Sequence, residues 1–186
     1  MKRTAILGLM MSVFFFAVFP AWAEQAPQKV VDLAYTELAA LGTAPQILSA
    51  VKAQNQKNMS LADIQAMDEK WKTTPGIAPF MQALMDSDCG KFLRQIQNSK
   101  AFYSEIFVMD NQGANVAMTE KTSDYWQGDE AKFKESFNGG TGKVFVDDVE
   151  FDDSSQAYLV QVSVPVMEQG KAIGAITFGI NMDQVE

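Results

Sequence analysis

One short segment of the sequence concentrates side chains that could hold a small molecule. The stretch SDYWQGDEAKF, Ser123 to Phe133, places two adjacent aromatic residues, three acids and a lysine around one glycine and ends on a third aromatic residue. Aromatic faces offer apolar and cation–π contacts, and carboxylates together with an ammonium group can orient a polar ligand. The segment predicts either the mouth of a binding site or an ordinary loop, in which Tyr125 and Trp126 pack against the protein and Lys132 faces solvent.

A second group with chemical potential is the acidic run Asp147, Asp148, Glu150, Asp152 and Asp153. Carboxylate oxygens bind hard cations, and paired carboxylates can act in general acid–base catalysis. Strand alternation sends adjacent side chains to opposite faces, so the whole run cannot converge on one ion. We interpret it as a solvated turn or as part of a site for an organic or metal ligand, and we predict no resident metal or cofactor.

The composition removes the commonest catalytic arrangements. The 186 residues include no histidine and a single cysteine, Cys89, so no Ser-His or Cys-His machinery can form. Cys89 is expected to be a buried apolar residue at a helix start, with a redox role or an intermolecular disulfide as the alternative. The segment GGTGKV lacks the spacing of a phosphate-binding loop. We expect no enzymatic activity; a metal-dependent hydrolase built on carboxylates is the enzymatic alternative.

The charge balance excludes two classes of partner. The chain carries 15 basic and 23 acidic side chains, for a net charge of −8. Nucleic-acid binding depends largely on neutralising phosphates with Lys and Arg, and an anionic membrane surface makes the same demand. We therefore expect neither a nucleic acid nor an anionic membrane surface as the partner.

The N-terminal residues have the layout of a secretion signal. Two basic residues precede the apolar run AILGLMMSVFFFAVF, and the small-x-small pattern AWA follows it. This arrangement predicts a signal peptide at residues 1–23 that is cleaved after Ala23, and hence a periplasmic protein. The apolar run is shorter than a typical membrane span; retention as an uncleaved anchor is the alternative.

The elements that must position the candidate side chains are helical in the first half of the chain. Apolar residues at helical spacing predict a helix over residues 28–41, a second helix after Thr43 and a third after Ser60, with both of these residues as N-caps. Two shorter helical patterns follow, over 77–84 and 92–96.

The second half of the chain has the pattern of a sheet. Five apolar or alternating segments predict strands: YSEIFVMD, ANVAMT, KVFVDDV, YLVQVSVPV and AIGAITFGI. The turn DNQG joins the first two as a hairpin, and DEAKFKESFNGG predicts a short helix that Gly139 ends. The predicted fold class is α+β, a five-stranded antiparallel sheet preceded by several N-terminal helices.

Three segments of this second half are similar to parts of one known family. EIFVMDNQGANVAMT resembles its first hairpin, DYWQGDEAKF its Asp-Tyr/Trp-x-x-Gly-Asp-Glu stretch, and the segment from Val144 to Ile180 its last three strands. The family is the Cache superfamily of extracytoplasmic sensor domains, also called PDC sensors, whose sheet is PAS-like. The resemblance implies a sensor domain at residues 101–186, with a helical region at 24–100 packed on it.

The resemblance also implies a binding site between the sheet and the strand-to-helix connection. Aromatic residues would wall the pocket, an acid would fix the loop or contact the ligand, a lysine would be the candidate cation, and acids of the returning strand would complete the site. The ligand-binding residues predicted in this way are Tyr125, Trp126, Asp129, Lys132, Asp147 and Asp152. The segment has no arginine where many amino-acid-binding members carry one, so an organic acid, an amine and an amino acid all remain open as ligands.

The expected function is that of a small-molecule sensor. The sequence has no second hydrophobic span after the last predicted strand, so we expect the module to pass its ligand state to a partner signalling protein. A membrane receptor kinase, a cyclase or a chemoreceptor is the expected kind of partner. The alternative is a periplasmic interaction protein whose sheet is filled by its own side chains and which binds no ligand.

Overall fold

The computed structural model describes residues 24–152 and 155–185, and the predicted signal peptide lies outside the described residues. The first half of the described chain is helical, as predicted. Its elements are α1 (Gln28–Leu33), a π-helical turn (Ala34–Leu38), α2 (Ala39–Leu41), α3 (Pro45–Asn55), α4 (Leu61–Thr73), α5 (Pro79–Met85) and α6 (Asp88–Gln97). Within the described ranges, no helix has the length and apolar character needed to cross a bilayer.

The second half forms a five-stranded sheet with one helix inserted between its second and third strands. The elements are β1 (Tyr103–Met109), β2 (Asn115–Met118), α7 (Ala131–Phe137), β3 (Phe145–Asp152), β4 (Ala157–Glu168) and β5 (Lys171–Asn181). The strand order is β2-β1-β5-β4-β3 and every neighbouring pair is antiparallel. The predicted α+β class is therefore confirmed.

One face of the sheet packs against the N-terminal helices. The valines that alternate along β4 are all buried there, and side chains of α1, α3 and α6 complete this core. Cys89, in the first turn of α6, is 3% exposed and belongs to the same core. The prediction of a buried cysteine at a helix start is therefore confirmed. Burial raises the pKa of its thiol to about 12.

The opposite face of the sheet is covered only in part. Phe107 of β1 and Met118 of β2 form a second core with Trp71 of α4, Tyr125 and Phe133. Towards β4 and β3, polar residues and glycine take the place of apolar side chains on this face. Glu105 of β1 and Gln161 of β4 are both paired with Gly179 of β5, so these three residues lie in one row across the sheet. This uncovered half of the sheet is where the candidate site lies.

Two predicted helix boundaries differ in the structure. Ala44 rather than Thr43 is the N-cap of α3 and offers no side-chain acceptor, because the Thr43 hydroxyl donates backwards to the carbonyl of Ala40 over 3.0 Å. Ser60, in contrast, is the N-cap of α4 as predicted and accepts from the backbone N–H of Asp63. Helix α7 ends at Asn138 in the left-handed conformation (φ 48°), one residue before the predicted stop.

Candidate ligand-binding cavity

The segment between β2 and α7 is fastened to the β1–β2 hairpin by backbone hydrogen bonds. The N–H of Asn115 donates to the carbonyl of Tyr125 over 2.9 Å, and the N–H of Gln127 donates to the carbonyl of Gly113 over 2.8 Å. Ala114 and Trp126 form an antiparallel bridge between these bonds. The segment therefore runs beside β2 like a short additional strand and covers the edge of the sheet.

Two glycines allow this close approach. Gly113 has φ +86°, a conformation that favours glycine, and a Cβ on it would lie 2.5 Å from the backbone of Gly128. A Cβ on Gly128 would lie 2.5 Å from the carbonyl oxygen of Gln112, which already accepts the indole N–H of Trp126 over 2.7 Å. The glycine at the centre of the segment SDYWQGDEAKF thus serves backbone packing.

Helix α4 holds the same segment from the other side. Asp68, 4% exposed, accepts the backbone N–H groups of Tyr125 (2.8 Å) and Trp126 (3.1 Å) at one oxygen. Lys72 pairs with Asp68 at 2.7 Å and with Asp124 at 2.9 Å, and these hydrogen bonds raise the pKa of the lysine. The buried carboxylate is therefore fully partnered, as burial of a charge requires.

The start of the segment is fixed in the same manner. The indole N–H of Trp71 donates to the carbonyl of Thr122 over 2.8 Å. The ammonium group of Lys121 donates to the carbonyls of Thr74 (3.0 Å) and Gly76 (2.9 Å). Because both ends of the segment are bonded to the helical layer, its side chains are held in place over the sheet without a ligand.

A cavity of about 470 Å³ lies between this segment, α7 and the polar half of the sheet. That volume is within the range of small-molecule sites, roughly 300–1,000 Å³. Its lining combines acids, lysines, neutral polar groups and one aromatic ring: Glu105, Phe107, Lys121, Thr122, Ser123, Gln127, Lys132, Asp152 and Gln161.

The floor of the cavity depends on Gly179. This residue lies near the end of β5, with Glu105 opposite on β1 and Gln161 opposite on β4. A Cβ on Gly179 would lie 2.8 Å from Cγ of Glu105 and 3.5 Å from a methyl carbon of Leu159. A glycine inside a strand often marks a close approach, and here it leaves room for the Glu105 side chain and for the space above it.

The charges in the cavity influence one another strongly. Burial raises the pKa of Glu105 to about 7; Lys132 acts in the opposite direction, whereas Asp152, Glu120 and Glu130 raise the value further. The ammonium group of Lys132 pairs with Glu130 at 2.8 Å and lies 5.7 Å from the ring centroid of Phe107. Glu105 is thus poised between its two protonation states near neutral pH.

Two smaller cavities adjoin the main one. A volume of about 190 Å³ shares Lys132, Asp152 and Gln161 with it, and a volume of about 320 Å³ shares Glu105, Lys121 and Asp152. The acids that line the three volumes are Glu105, Glu120, Glu130, Asp147, Asp148, Glu150 and Asp152, against the two lysines 121 and 132. The site as a whole is therefore strongly acidic.

The structure brings together some of the six predicted ligand-binding residues and separates others. Lys132 and Asp152 line the main cavity, and Asp147 lines the smaller one beside it. The remaining three, Tyr125, Trp126 and Asp129, do not line the main cavity. No observation tests the ligand-binding role of any of the six, so these roles stay predictions.

The aromatic pair and Asp129 have other surroundings. Tyr125 is 7% exposed and packs on Trp71 with ring centroids 5.6 Å apart, and burial raises the pKa of its hydroxyl to about 12. Trp126 packs against the same cluster and donates its indole N–H to Gln112. Asp129 is exposed, two residues before α7. The two rings therefore pack in the second core with Trp71 and stabilise the position of the segment.

The sequence interpretation missed seven of the nine described residues that line the main cavity, among them Glu105, Gln127 and Gln161, and it missed Gly179 beside Glu105. Glu105 and Gly179 each interrupt an otherwise apolar strand segment, and Gln161 is the polar position in the alternating β4 segment. These positions were the signal in the sequence from which the three residues could have been predicted to line a site. Only the register of β1, β5 and β4 shows that three of them lie in one row.

No family model and no curated protein matches this sequence. Among solved structures, the extracellular domain of vpHK1S-Z8, named as a histidine kinase, superposes with a TM-score of 0.50 at 10% identity over 84% of this chain and 52% of that one. The sensor domain of the V. cholerae histidine kinase DctB has a TM-score of 0.46 at 12% identity, over 84% of this chain and 51% of that one.

A third similar structure is the ligand-binding domain of the Campylobacter jejuni chemoreceptor Tlp3 in complex with 4-methylisoleucine. Its TM-score is 0.42 at 16% identity, over 84% of this chain and 58% of that one. The chain thus spans a little over half the length of these structures. At such low identity the likeness concerns the fold alone. The likeness to the vpHK1S-Z8 domain, with its TM-score of 0.50, agrees with the fold predicted from the sequence.

Proposed function

We propose that this chain, which has the fold of a Cache-type sensor domain, is a ligand-binding sensor module that acts outside the cytoplasm. The observation that carries the proposal is the cavity of about 470 Å³ between the polar half of the sheet and a segment that is already fixed in place. A preformed, partly enclosed site lowers the cost of ordering that a ligand would otherwise meet.

The chemistry of the cavity lining supports a role in binding. The other half of the same sheet face is filled with Phe107, Met109 and Met118, so this chain can fill such a space with apolar side chains. Around Glu105 and Lys132 it instead encloses charges, which is unfavourable unless they are paired. Enclosed groups with displaced pKa values cluster at functional sites.

The location and the partner belong to the same proposal. The signal-like layout of residues 1–23 favours export to the periplasm with cleavage after Ala23, and a fold shared with extracellular sensor domains agrees with it. We propose that ligand binding changes how the module contacts a membrane receptor kinase, cyclase or chemoreceptor. Helix α7 is the element suited to report the ligand, because it carries Lys132 and packs on β4 and β5.

A thermal-shift screen tests the proposal. The purified protein is melted with a panel of amines, carboxylates and amino acids, beside the variant Gly179→Leu, whose side chain would occupy the cavity floor. A ligand at 100 times its Kd stabilises a protein by about 2.7 kcal/mol. We expect at least one compound to raise the Tm of the wild type and to leave that of Gly179→Leu unchanged.

The control for added bulk is Ala40→Leu, at an exposed position of α2 outside the cavity lining. It is expected to respond to the ligand like the wild type. If no compound shifts the wild type, or if the shift persists in Gly179→Leu, the sensor proposal fails. A protein of this fold that binds partners without a ligand would then be the better description.

A further inference from the structure

We infer, taking the proposed function as the starting point, that the ligand of this cavity presents a protonated amino or guanidino group, with N–H donors, to the carboxylate of Glu105. The inference rests on which polar groups of the cavity are already partnered and which are not. It narrows the three ligand classes that the sequence leaves open to one.

The carboxylate of Glu105 lines the main cavity. Among the described residues its side chain makes no hydrogen bond and no ion pair, although it lies between the sheet and the covering segment. The charged groups that face it are Lys132 of α7, Asp152 of β3, and Glu120 and Glu130 of the covering segment. A cation placed in the cavity would lie near these four carboxylates and near the two lysines of the lining, Lys121 and Lys132, so the negative charges outnumber the positive ones.

Both lysines of the cavity, in contrast, are already engaged. Lys132 pairs with Glu130 at 2.8 Å, and Lys121 donates to two backbone carbonyls of the helical layer. An anionic ligand would have to share Lys132 with Glu130 or displace it, while lying beside Glu105 and Asp152. Like charges brought together in a partly enclosed site disfavour that arrangement.

Gln127 adds an independent indication. It lines the cavity and is 1% exposed, and its side-chain nitrogen donates to the carbonyl of Asp124 over 2.9 Å. Its side-chain oxygen has no hydrogen-bond partner among the described residues. An enclosed acceptor without a donor is costly, about 1–3 kcal/mol. The oxygen itself has less than 1 Å² of accessible surface, so a ligand reaches it only if the Gln127 side chain turns. A donor on the ligand would then satisfy it, and a carboxylate ligand would not.

The Glu105 carboxylate defines the class of ligand. A group with both positive charge and N–H donors can form a charge-assisted hydrogen bond to it, whereas a quaternary ammonium group offers the charge without a donor. The Phe107 ring in the lining offers a further contact to a cation. We therefore expect primary amines and guanidines of a size that fits about 470 Å³.

Calorimetric titration tests the inference with defined probes. Butylamine, putrescine and agmatine are compared with butyrate, succinate and tetramethylammonium at pH 8 in wild type, in Glu105→Gln, and in Glu135→Gln as the matched control at an exposed position of α7 outside the three cavity linings. We expect at least one amine or guanidine to bind the wild type, and to bind Glu105→Gln about 10- to 100-fold more weakly, as for a lost charge-assisted hydrogen bond. Binding to Glu135→Gln should change by less than about threefold, because an exposed charge contributes little.

The pH dependence separates cation binding from anion binding. Because the pKa of Glu105 is about 7, a cation that prefers the ionised form should bind roughly 30-fold more weakly at pH 5.5 than at pH 8. Titrations at pH 7 in buffers of different ionisation enthalpy should show proton release on binding. A bound carboxylate would instead cause proton uptake.

The possible results separate a failure of this inference from a failure of the sensor proposal. If carboxylates bind, and Gly179→Leu abolishes that binding, the sensor proposal stands and the inference is overturned. Amine binding that is unchanged in Glu105→Gln, or that is matched by tetramethylammonium, also overturns it. If none of the probes binds, the inference fails; the sensor proposal fails with it only if the wider thermal-shift panel is silent as well.

Discussion

At the scale of single residues, the position of Glu105 in the fold determines the chemical behaviour of its carboxyl group. The residues that follow it on β1, from Ile106 to Met109, are apolar and buried, yet its own side chain enters the cavity over Gly179. Burial is the largest cause of its raised pKa. A carboxylate in such a position does not favour folding once it is ionised, which is consistent with a group retained for binding.

The stability of the unliganded protein should therefore depend on this one residue. The pKa of Glu105 is about 7 in the folded protein, against a reference value of 4.5, so between these values the folded state holds a proton that the unfolded state has released. Stability then falls as pH rises through this window. We expect Glu105→Gln to be more stable than wild type at pH 8 by up to about 3 kcal/mol, with the difference lost at pH 4.5, in urea unfolding.

The matched comparison is Glu135→Gln, which removes the same charge from an exposed position of α7 outside the cavity lining. It should differ little from wild type at either pH. An equal difference between wild type and Glu105→Gln at both pH values would contradict the assignment.

At the scale of elements, the decisive feature is the attachment of the segment before α7. It is bonded to the hairpin turn through Gly113 and to α4 through Asp68. The two attachments come from opposite sides, so the segment is positioned by helix and sheet together. The aromatic residues Tyr125 and Trp126 contribute buried surface to this attachment.

Replacing Asp68 should loosen the segment. In Asp68→Ala two N–H groups, those of Tyr125 and Trp126, lose their acceptor, at a cost of about 1–3 kcal/mol for each one that stays buried. We expect lower stability and faster hydrogen exchange at these two amides, measured by NMR. The neighbouring exposed residue supplies the control Glu69→Ala, which should leave both amides protected; unchanged exchange in Asp68→Ala would show that the carboxylate does not hold the segment.

At the scale of the whole molecule, the helical region and the sheet share one core. Side chains of α1, α3 and α6 pack directly on β4, β5 and β1. The predicted division at residue 100 therefore describes a change of secondary structure along the chain. We expect the two parts to unfold together, since neither could bury its apolar face alone.

This expectation can be tested from the face of the sheet opposite the cavity. Ile47 of α3 is fully buried in the shared core, so Ile47→Ala should lower the free energy of unfolding by about 2–5 kcal/mol. The melt should remain a single transition, followed by far-UV circular dichroism and by tryptophan fluorescence. The exposed residue Ser49 on the same helix supplies the control Ser49→Ala; two separate transitions would contradict a shared core.

The sequence alone determined the elements of this protein, because their signals are local. Alternating valines predicted β4, the DNQG turn predicted the first hairpin, and Ser60 predicted the start of α4; the structure confirms all three. Such signals arise from residues a few positions apart, whose spacing dictates which side chains share a face.

Only the tertiary structure decided what forms the site. Glu105, Gly179 and Gln161 come from three strands and meet through strand register, which no local spacing encodes. The same holds for Tyr125, whose ring turns to Trp71 on a helix more than 50 positions earlier in the chain and not to the cavity. A cavity exists where distant segments pack without filling the space between them, and that outcome depends on the whole fold.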